Sequence, residues 1–436
     1  GVGGSHRAHL AVYCPHPARR GSEWGIRGIG LLPGDEAIAE VLRAQDHLYT
    51  FTMKDTQGRE SEIVGSIIDY VWVADDAELA VAALADPEVR IVSLTITEAG
   101  YHDAPVNRRT FDTVAAALAR RRDEASGPVT ILSCDNLPGN GEVTRLRTLE
   151  ACRRHDGELE EWVAERCTFP NSMVDRITPA TTDDDRDDLL ERFGLVDRWP
   201  VVGETFWQWV LEDDFATGRP DFASVGAIYS DDVPAWELYK LRLLNAGHSC
   251  IAYCAALEGI EYVDEALADA SIRSFLEHLL RDEAAPTLDE IPGHPSEEYA
   301  RVVVERFANT AVRDQIARLC VDGSSKFPTF LMPTIERQLA LGGPIDRSML
   351  AVAAWAVYLA TVPEADQAHD AIADQTRPLA RAALEDPSRF LDGNPAIPAA
   401  VASHARARDA FGSAHRAIAA LGARRAIDAL TGQDAT

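Results

Sequence analysis

Ala235 to Gly259 reads AWELYKLRLLNAGHSCIAYCAALEG, and it divides the chain. Strand-like and helical runs alternate before it, and helices follow almost without interruption after it. The stretch itself predicts one buried helix carrying four polar side chains among apolar neighbours. At about 100° per residue, Glu237, Lys240, Asn245 and His248 fall within an arc of roughly 140°, so they share a face. Such groups are costly to bury unless they serve one another or a ligand. Desolvation lowers a lysine pKa, and a lysine held neutral near working pH can take a proton from an alcohol. Asn245 can donate to the alkoxide left behind, and His248 can hold a neighbouring hydroxyl. The set is suited to metal-free alcohol oxidation. The plainer alternative is a solvated face on which Glu237 and Lys240, at i, i+3, form a surface pair.

The totals narrow the field. At 436 residues the chain exceeds what one hydrophobic core usually holds, so two domains are expected. Its 46% apolar content is ordinary for a globular protein. A formal net charge of -28 disfavours nucleic acid or an anionic membrane surface as a partner. The longest strongly apolar run, Met349 to Val362, is too short to span a bilayer. The seven cysteines are scattered, and none shows zinc-ligand spacing. Cys250 and Cys254, four apart on the central helix, read as small buried residues. A reduced, cytoplasmic, acidic globular protein is expected.

The chain opens with GVGGSHRAHLAVY, Gly1 to Tyr13, a glycine-rich turn running into an apolar helix. Glycines there let the backbone approach a pyrophosphate, with helix N–H groups to receive it. His6 stands where a third glycine is usual, and the strand that precedes such a loop is expected upstream of Gly1. Trp24 to Leu32 reads as a buried strand ending in Pro33, Gly34 and Asp35. A carboxylate past the second strand of a dinucleotide fold accepts from an adenosine ribose and repels a 2'-phosphate, which favours NAD over NADP. Asp35 can also serve as N-cap of a helix Glu36–Arg43, and both roles can hold together. Arg27, within the strand, keeps NADP in view. Further strands are predicted at Leu48–Met53, Glu62–Ile68, Val89–Ile96 and Val129–Leu132, with helices at Ala77–Ala85 and Thr110–Arg121 between them. Ligands of a parallel sheet sit beyond the carboxyl ends of its strands, which is where Asn136 falls. Asn140 and Gly141 read as a structural turn opening a helix Glu142–Arg154.

CTFPNSMVDRITP, Cys167 to Pro179, embeds Asn171, Asp175 and Arg176 in an apolar segment, either as a buried network or as a site lining. Asp183 to Glu191 reads as a solvated helix start, and Val202 to Asp214 as aromatic core. Beyond Pro234, Met349–Val362 is apolar nearly all round and therefore buried. Arg318 and Lys326 flank a turn at Asp322 and Gly323. They are surface charges or hydrogen-bond donors to a polyhydroxylated ligand.

Taken together, GVGGSHRAH, WGIRGIGLL, VSLTITEAGY, SCDNLPGNGEVTR, FPNSMVDRITP, FWQWVLEDDF and KLRLLNAGHS resemble, in content and order, the polyol-specific long-chain dehydrogenases, and within them the mannitol 2-dehydrogenase branch. The resemblance runs along the whole chain. It implies a Rossmann-type α/β nucleotide-binding domain, residues 1–230, followed by a mainly α-helical substrate domain, 231–436. It also implies a metal-independent, NAD-dependent exchange between a sugar alcohol and a ketose in a protein that is often monomeric. Carried over, the base falls on Lys240, the oxyanion-holding amides on Asn136 and Asn245, the orienting histidine on His248, and the acid linked to proton passage on Glu237. Substrate-hydroxyl contacts fall on Asn171, Asp175, Arg318 and Lys326. Cofactor contacts fall on Gly1, Gly3, Gly4, His6, Arg7 and Asp35. Ser5 replaces a common Phe, and the segment between Gly100 and Val129 is shorter than in relatives.

Two rivals stay open. A sister branch reduces the keto-uronate fructuronate to mannonate; Arg318 and Asn171 favour the neutral polyol, mannitol or arabinitol. A catalytically silent NAD-binding sensor would have little reason to keep Lys240, Asn245, His248 and Asn136 together.

Overall fold

The structure, a computed structural model, describes residues 1–14, 24–73, 77–102 and 105–432. The chain divides into two compact units, Gly1–Trp236 and Glu237–Thr436. In the first, the glycine-rich start passes into two short helices, α1 (Gly4–Ala8) and α2 (Leu10–Tyr13), broken at His9. Strand β1 (Ile26–Gly30), helix α3 (Glu36–Ala44) and strand β2 (Tyr49–Asp55) follow. Asp55 Oδ1 accepts from the backbone N–H groups of Gln57 and Gly58 at 2.7 and 2.9 Å. This Asx turn folds β3 (Gly58–Val64) antiparallel onto β2. Gly65 and Ser66 then part β3 from β4 (Ile67–Trp72), which runs parallel to β1. The single strand expected over Glu62–Ile68 is therefore two pieces in different sheets, because the hairpin turn fixes the register of the first and the glycine releases the second.

Helix α4 (Ala77–Ala85), strand β5 (Ile91–Leu94), helix α5 (Pro105–Asp123) and strand β6 (Thr130–Ser133) complete the alternating pattern. β5 and β6 pair in parallel from Ile91 with Thr130 to Leu94 with Ser133. Their apolar side chains pack with Phe111, Val114 and Leu118 of α5. The parallel register brings the segments after Leu94 and after Ser133 to one end of the pair. The expected shortening between Gly100 and Val129 crosses residues 103–104, which lie outside the described residues.

Helices α6 (Asn140–His155) and α7 (Gly157–Arg166) come next, then β7 (Ser172–Asp175). The acidic run begins α8 (Asp183–Phe193) through a capping box between Thr182 and Asp185. β8 (Val201–Glu204) joins β2 in parallel, giving the order β3-β2-β8; β9 (Gln208–Leu211) lies between β7 and β10 (Ile228–Tyr229). Among the described residues β1 pairs only with β4, and β5 only with β6.

Helix α9 (Val233–Tyr239) runs across the division between the units. It continues as a π-helical segment, Lys240–Asn245, and then as α10 (Ala246–Leu257). The expected single α-helix is thus interrupted by i→i+5 winding over the residues read as chemical. Isolated π segments inside helices are frequent at functional sites. The rest of the second unit is helical: α11 (Val263–Ala268), α12 (Ala270–His278), α13 (Ser296–Phe307), α14 (Ile316–Leu319), α15 (Gly323–Phe330), α16 (Met332–Leu341), α17 (Asp346–Thr361), α18 (Ala373–Ala383), α19 (Ser388–Leu391), α20 (Ala399–Ala402), α21 (Ala405–Leu421) and α22 (Ala423–Thr431).

α17, apolar nearly all round, is buried from Ser348 to Leu359 and packs on α10, α18 and α21. Its first turn is held by Glu283, whose carboxylate accepts from the Arg347 and Ser348 N–H groups at 2.8 Å each. An aromatic series ties these helices: Tyr253 to Phe327 at 5.8 Å, Phe327 to Trp355 at 5.0 Å, Trp355 to Phe390 at 5.1 Å. All seven cysteines are buried free thiols. Among the described residues no helix is long and apolar enough to cross a membrane.

Candidate functional site

A cavity of about 720 Å³ in the first unit is lined by residues of β1 and β5, by Gly1 and His6, by Asp35, and by the segment Thr95–Thr97. The glycines explain how the backbone comes so close. A Cβ on Gly28 would lie 2.5 Å from the Tyr70 ring, and one on Gly30 would lie 2.6 Å from the Asp35 side chain. Around Gly3 a Cβ would meet nothing within 4 Å, so that loop face is open. His6 is buried, and desolvation lowers its pKa to about 3, so the ring is neutral; its Nδ1 has no hydrogen-bond partner. An orphaned ring nitrogen, a backbone that Gly28 lets approach closely and a carboxylate past β1 fit a dinucleotide.

Not every expected cofactor residue reaches this cavity. Gly3 and Gly4 do not line it. Arg7 is 2% exposed, donates to the Trp199 carbonyl and lies over the Tyr49 ring. Its guanidinium is a brace inside the unit, because Tyr49 and the Trp199 carbonyl, both distant in sequence, claim it. Asp35 does line the cavity, and its Oδ2 accepts from the Leu32 N–H at 2.9 Å. It makes no side-chain cap for the helix that follows, so the N-cap role is not taken. Arg27 pairs with Asp69 and Asp86 at 3.1 and 3.2 Å.

At the carboxyl end of β6, Asn136 is exposed. The residue before it, Asp135, accepts from the N–H groups of Ile96 and Thr97 and from the Tyr101 hydroxyl. Asn140 is fully buried: its amide donates to Asp135 and Ser172 carbonyls and accepts from the Ser172 N–H, joining α6 to β6 and β7. A Cβ on Gly141 would sit 2.4 Å from the Phe169 carbonyl oxygen, so helix and loop approach here only through glycine.

Asn171 corrects an expectation. It is 3% exposed, its Oδ1 accepts from Gly141 N–H at 2.8 Å, and its Nδ2 donates to Glu142 and Glu212 at 3.0 Å each. Both amide hydrogens are spent on carboxylates within the unit, leaving none for a substrate hydroxyl. Asp175 is buried at the end of β7, where it pairs with Gln208 of β9.

The second unit gathers Glu237, Lys240, Asn245 and His248 on one continuous helical path. Glu237 and Lys240 are each 7% exposed, and His248 is 9% exposed. The π segment advances less than 100° per residue, so it turns Asn245 and His248 back towards Lys240 relative to a plain α-helix. His248 stacks on Phe307 of α13 and faces the charges of Asp314, Arg318, Arg306 and Lys326. Burial lowers its pKa to about 3, so its ring is neutral. Its Nε2 and the Oδ1 of Asn245 are buried with no hydrogen-bond partner.

Arg318 is held through Nε and Nη2 by both oxygens of Asp314. Lys326 donates to the Leu319 carbonyl at 3.0 Å, and burial lowers its pKa. Neither Asp314 nor Phe307 was singled out in the sequence. The i, i+4 spacing of Asp314 and Arg318 carried a signal, whereas nothing in spacing announced Phe307. Among the described residues no group of three or more His, Cys, Asp or Glu is placed to hold a metal ion.

Comparison with known proteins agrees along the chain. A family model described as the mannitol dehydrogenase Rossmann domain matches residues 1–224, and the mannitol dehydrogenase C-terminal domain matches 232–397. A mannitol 2-dehydrogenase of Phaeosphaeria nodorum is 39% identical over 90% of this chain and 73% of its own length. One of Aspergillus fumigatus is 40% identical over 90% of this chain and 84% of its own. The solved Pseudomonas fluorescens mannitol 2-dehydrogenase, a ternary complex with NAD and D-mannitol, superimposes with a TM-score of 0.88 at 36% identity, covering 100% of this chain and 94% of that one. A substrate-free D-sorbitol dehydrogenase gives 0.88 at 33% identity, covering 98% and 93%. The α/β unit with its glycine-rich loop, the helical unit with its buried polar face and these matches together place the chain in the mannitol dehydrogenase family.

Proposed function

We propose that the chain interconverts a neutral sugar alcohol and a ketose, of the D-mannitol to D-fructose type or with arabinitol, using Lys240 as the base. The coarser activity is that of an NAD-dependent polyol oxidoreductase, as the family and the NAD- and mannitol-bound relative support. One observation carries the finer reading: two buried acceptors, His248 Nε2 and Asn245 Oδ1, lack partners, and His248 faces the charged pair Asp314–Arg318. A ligand rich in hydroxyl hydrogens satisfies both, and a neutral imidazole is the form that accepts one.

In this reading Lys240, 7% exposed, acts as the base that removes the proton of a secondary hydroxyl. Asn245 steadies the developing alkoxide, and the first unit's Asn136 keeps the second amide role that the resemblance gives it. His248 orients the substrate, Glu237 passes on the proton taken by Lys240, and Arg318, Lys326 and Asp175 hold further hydroxyls. Asn171 is read as a brace. Gly1, His6 and Asp35 would hold the dinucleotide, which supplies the hydride acceptor when bound. The nucleotide-binding domain is taken as residues 1–230 and the substrate domain as 231–436. A monomer in a reducing cytoplasm suits the seven unpaired thiols.

The test is NADH formation from mannitol, arabinitol, sorbitol and mannonate, repeated with NADP and with a chelator. Chelator-resistant turnover of a neutral polyol is expected, together with near-complete loss in Lys240→Ala at neutral pH. Turnover of mannonate alone would move the protein to the uronate branch. Binding of NAD without any turnover would make it a sensor.

A further inference from the structure

Asp135 stands between the two parts of the first unit that matter most, the cavity-lining segment after β5 and Asn136. Its Oδ2 accepts from the Ile96 N–H at 3.0 Å and from the Tyr101 hydroxyl at 2.8 Å, while its Oδ1 accepts from the Thr97 N–H at 2.9 Å. Tyr101 is itself fixed by a 2.7 Å bond to Ser133 Oγ at the end of β6. One buried carboxylate therefore ties the segment after β5 to the segment after β6, across strands that are already paired.

The segment it ties is strained. Thr97 has φ +62°, a left-handed conformation that a β-branched residue adopts only when its surroundings enforce it. The Gly100 N–H closes the turn on the Thr97 carbonyl at 3.0 Å, and Thr95, Ile96 and Thr97 all line the cavity. A carboxylate that accepts two consecutive N–H groups forces both to point one way.

We propose that Asp135 is a positioning residue for cofactor binding: it locks Ile96 and Thr97 in the one backbone conformation that shapes this wall of the dinucleotide cavity. The inference rests on the cofactor reading above. The proposed effect of Asp135 passes through the loop and not through the substrate or the reacting atoms.

Asp135→Asn keeps the shape but offers a single acceptor oxygen and turns an N–H₂ towards the second backbone N–H. NADH affinity, followed by fluorescence titration of the full chain, is expected to fall ~10- to 100-fold, the range for a lost hydrogen bond to a charged group. The polyol KM at saturating NAD is expected to change by less than about threefold, a split that general damage to the unit would not give. Adding Thr97→Gly to Asp135→Asn is expected to recover about threefold or more of the lost affinity, because glycine holds φ > 0 without strain. Should Asp135→Asn fail to fold by circular dichroism, Tyr101→Phe removes one of the three bonds and is expected to weaken NADH about threefold. NADH affinity within twofold of wild type in a folded Asp135→Asn, or in Tyr101→Phe, would overturn the proposal. Wild-type protein that bound no NADH would overturn the cofactor reading itself.

Discussion

The imidazole of His248 lies flat on the ring of Phe307, centroids 3.8 Å apart and planes 6° from parallel. The contact joins α10 to α13 and sets the direction in which the unpaired Nε2 points. Phe307→Leu keeps an apolar residue but removes the flat support, whose worth is about 1 kcal/mol. Polyol KM is expected to rise about fivefold with a smaller change in kcat and no change in NADH affinity. Steady-state kinetics with each substrate varied in turn checks this, and a variant with unaltered polyol KM would remove Phe307 from the substrate site.

Acid should weaken the fold through two histidines. His248 and His6 both titrate near 3 in the native protein, chiefly because burial penalises the charged ring. Unfolded, they titrate near the ordinary 6.5. As pH falls below about 6.5 the unfolded chain takes up protons that the native one refuses. Stability is therefore full above that pH and declines towards pH 3, by ~1.4 kcal/mol per pH unit for each ring. Urea midpoints at pH 7.5, 6 and 5 should fall in that order, and His248→Asn should flatten the fall. A midpoint independent of pH would contradict the assignment.

Asn171 should matter to stability and not to substrate. Asn171→Asp would set a third carboxylate against Glu142 and Glu212, replacing two hydrogen bonds with repulsion. A loss of about 2–4 kcal/mol is expected in denaturant unfolding, with polyol KM unchanged in the folded fraction. A raised KM without lost stability would return Asn171 to the substrate set.

The π segment offers a sharper test of geometry. Inserting one alanine between Arg242 and Leu243 adds a helical step of about 100°, which turns Asn245 and His248 away from their present bearing on Lys240. Polyol oxidation should be lost while NADH binding and helix content persist. Retained oxidation would mean that the mutual bearing of these side chains is not what the chemistry uses.

The alternation of strands and helices, the glycine-rich loop and the polar face around Lys240 were all legible in the sequence, because each is written in local periodicity. What escaped was decided by partners far away in the chain. Asn171 looked available until Glu212, forty-one residues on, claimed its amide. Arg7 was expected at the cofactor until the Trp199 carbonyl, 192 residues on, took its guanidinium. The extra residue of the π segment was hidden for a different reason: apolar periodicity over six residues does not separate 3.6 from a slightly wider turn. The β2–β3 hairpin was local after all, since Asp55 and Gly58 carried its turn chemistry.

The burial of all seven thiols provides an internal chronometer for opening. Cys14, Cys134, Cys152 and Cys167 belong to the first unit, and Cys250, Cys254 and Cys320 to the second. Apart from Cys14, which lines the cavity, they present little surface to a thiol-labelling reagent in the closed state, so each modification time records a separate excursion of its surroundings. Peptide mapping after brief labelling would rank the two units by how often each breathes, with no substitution and no added probe.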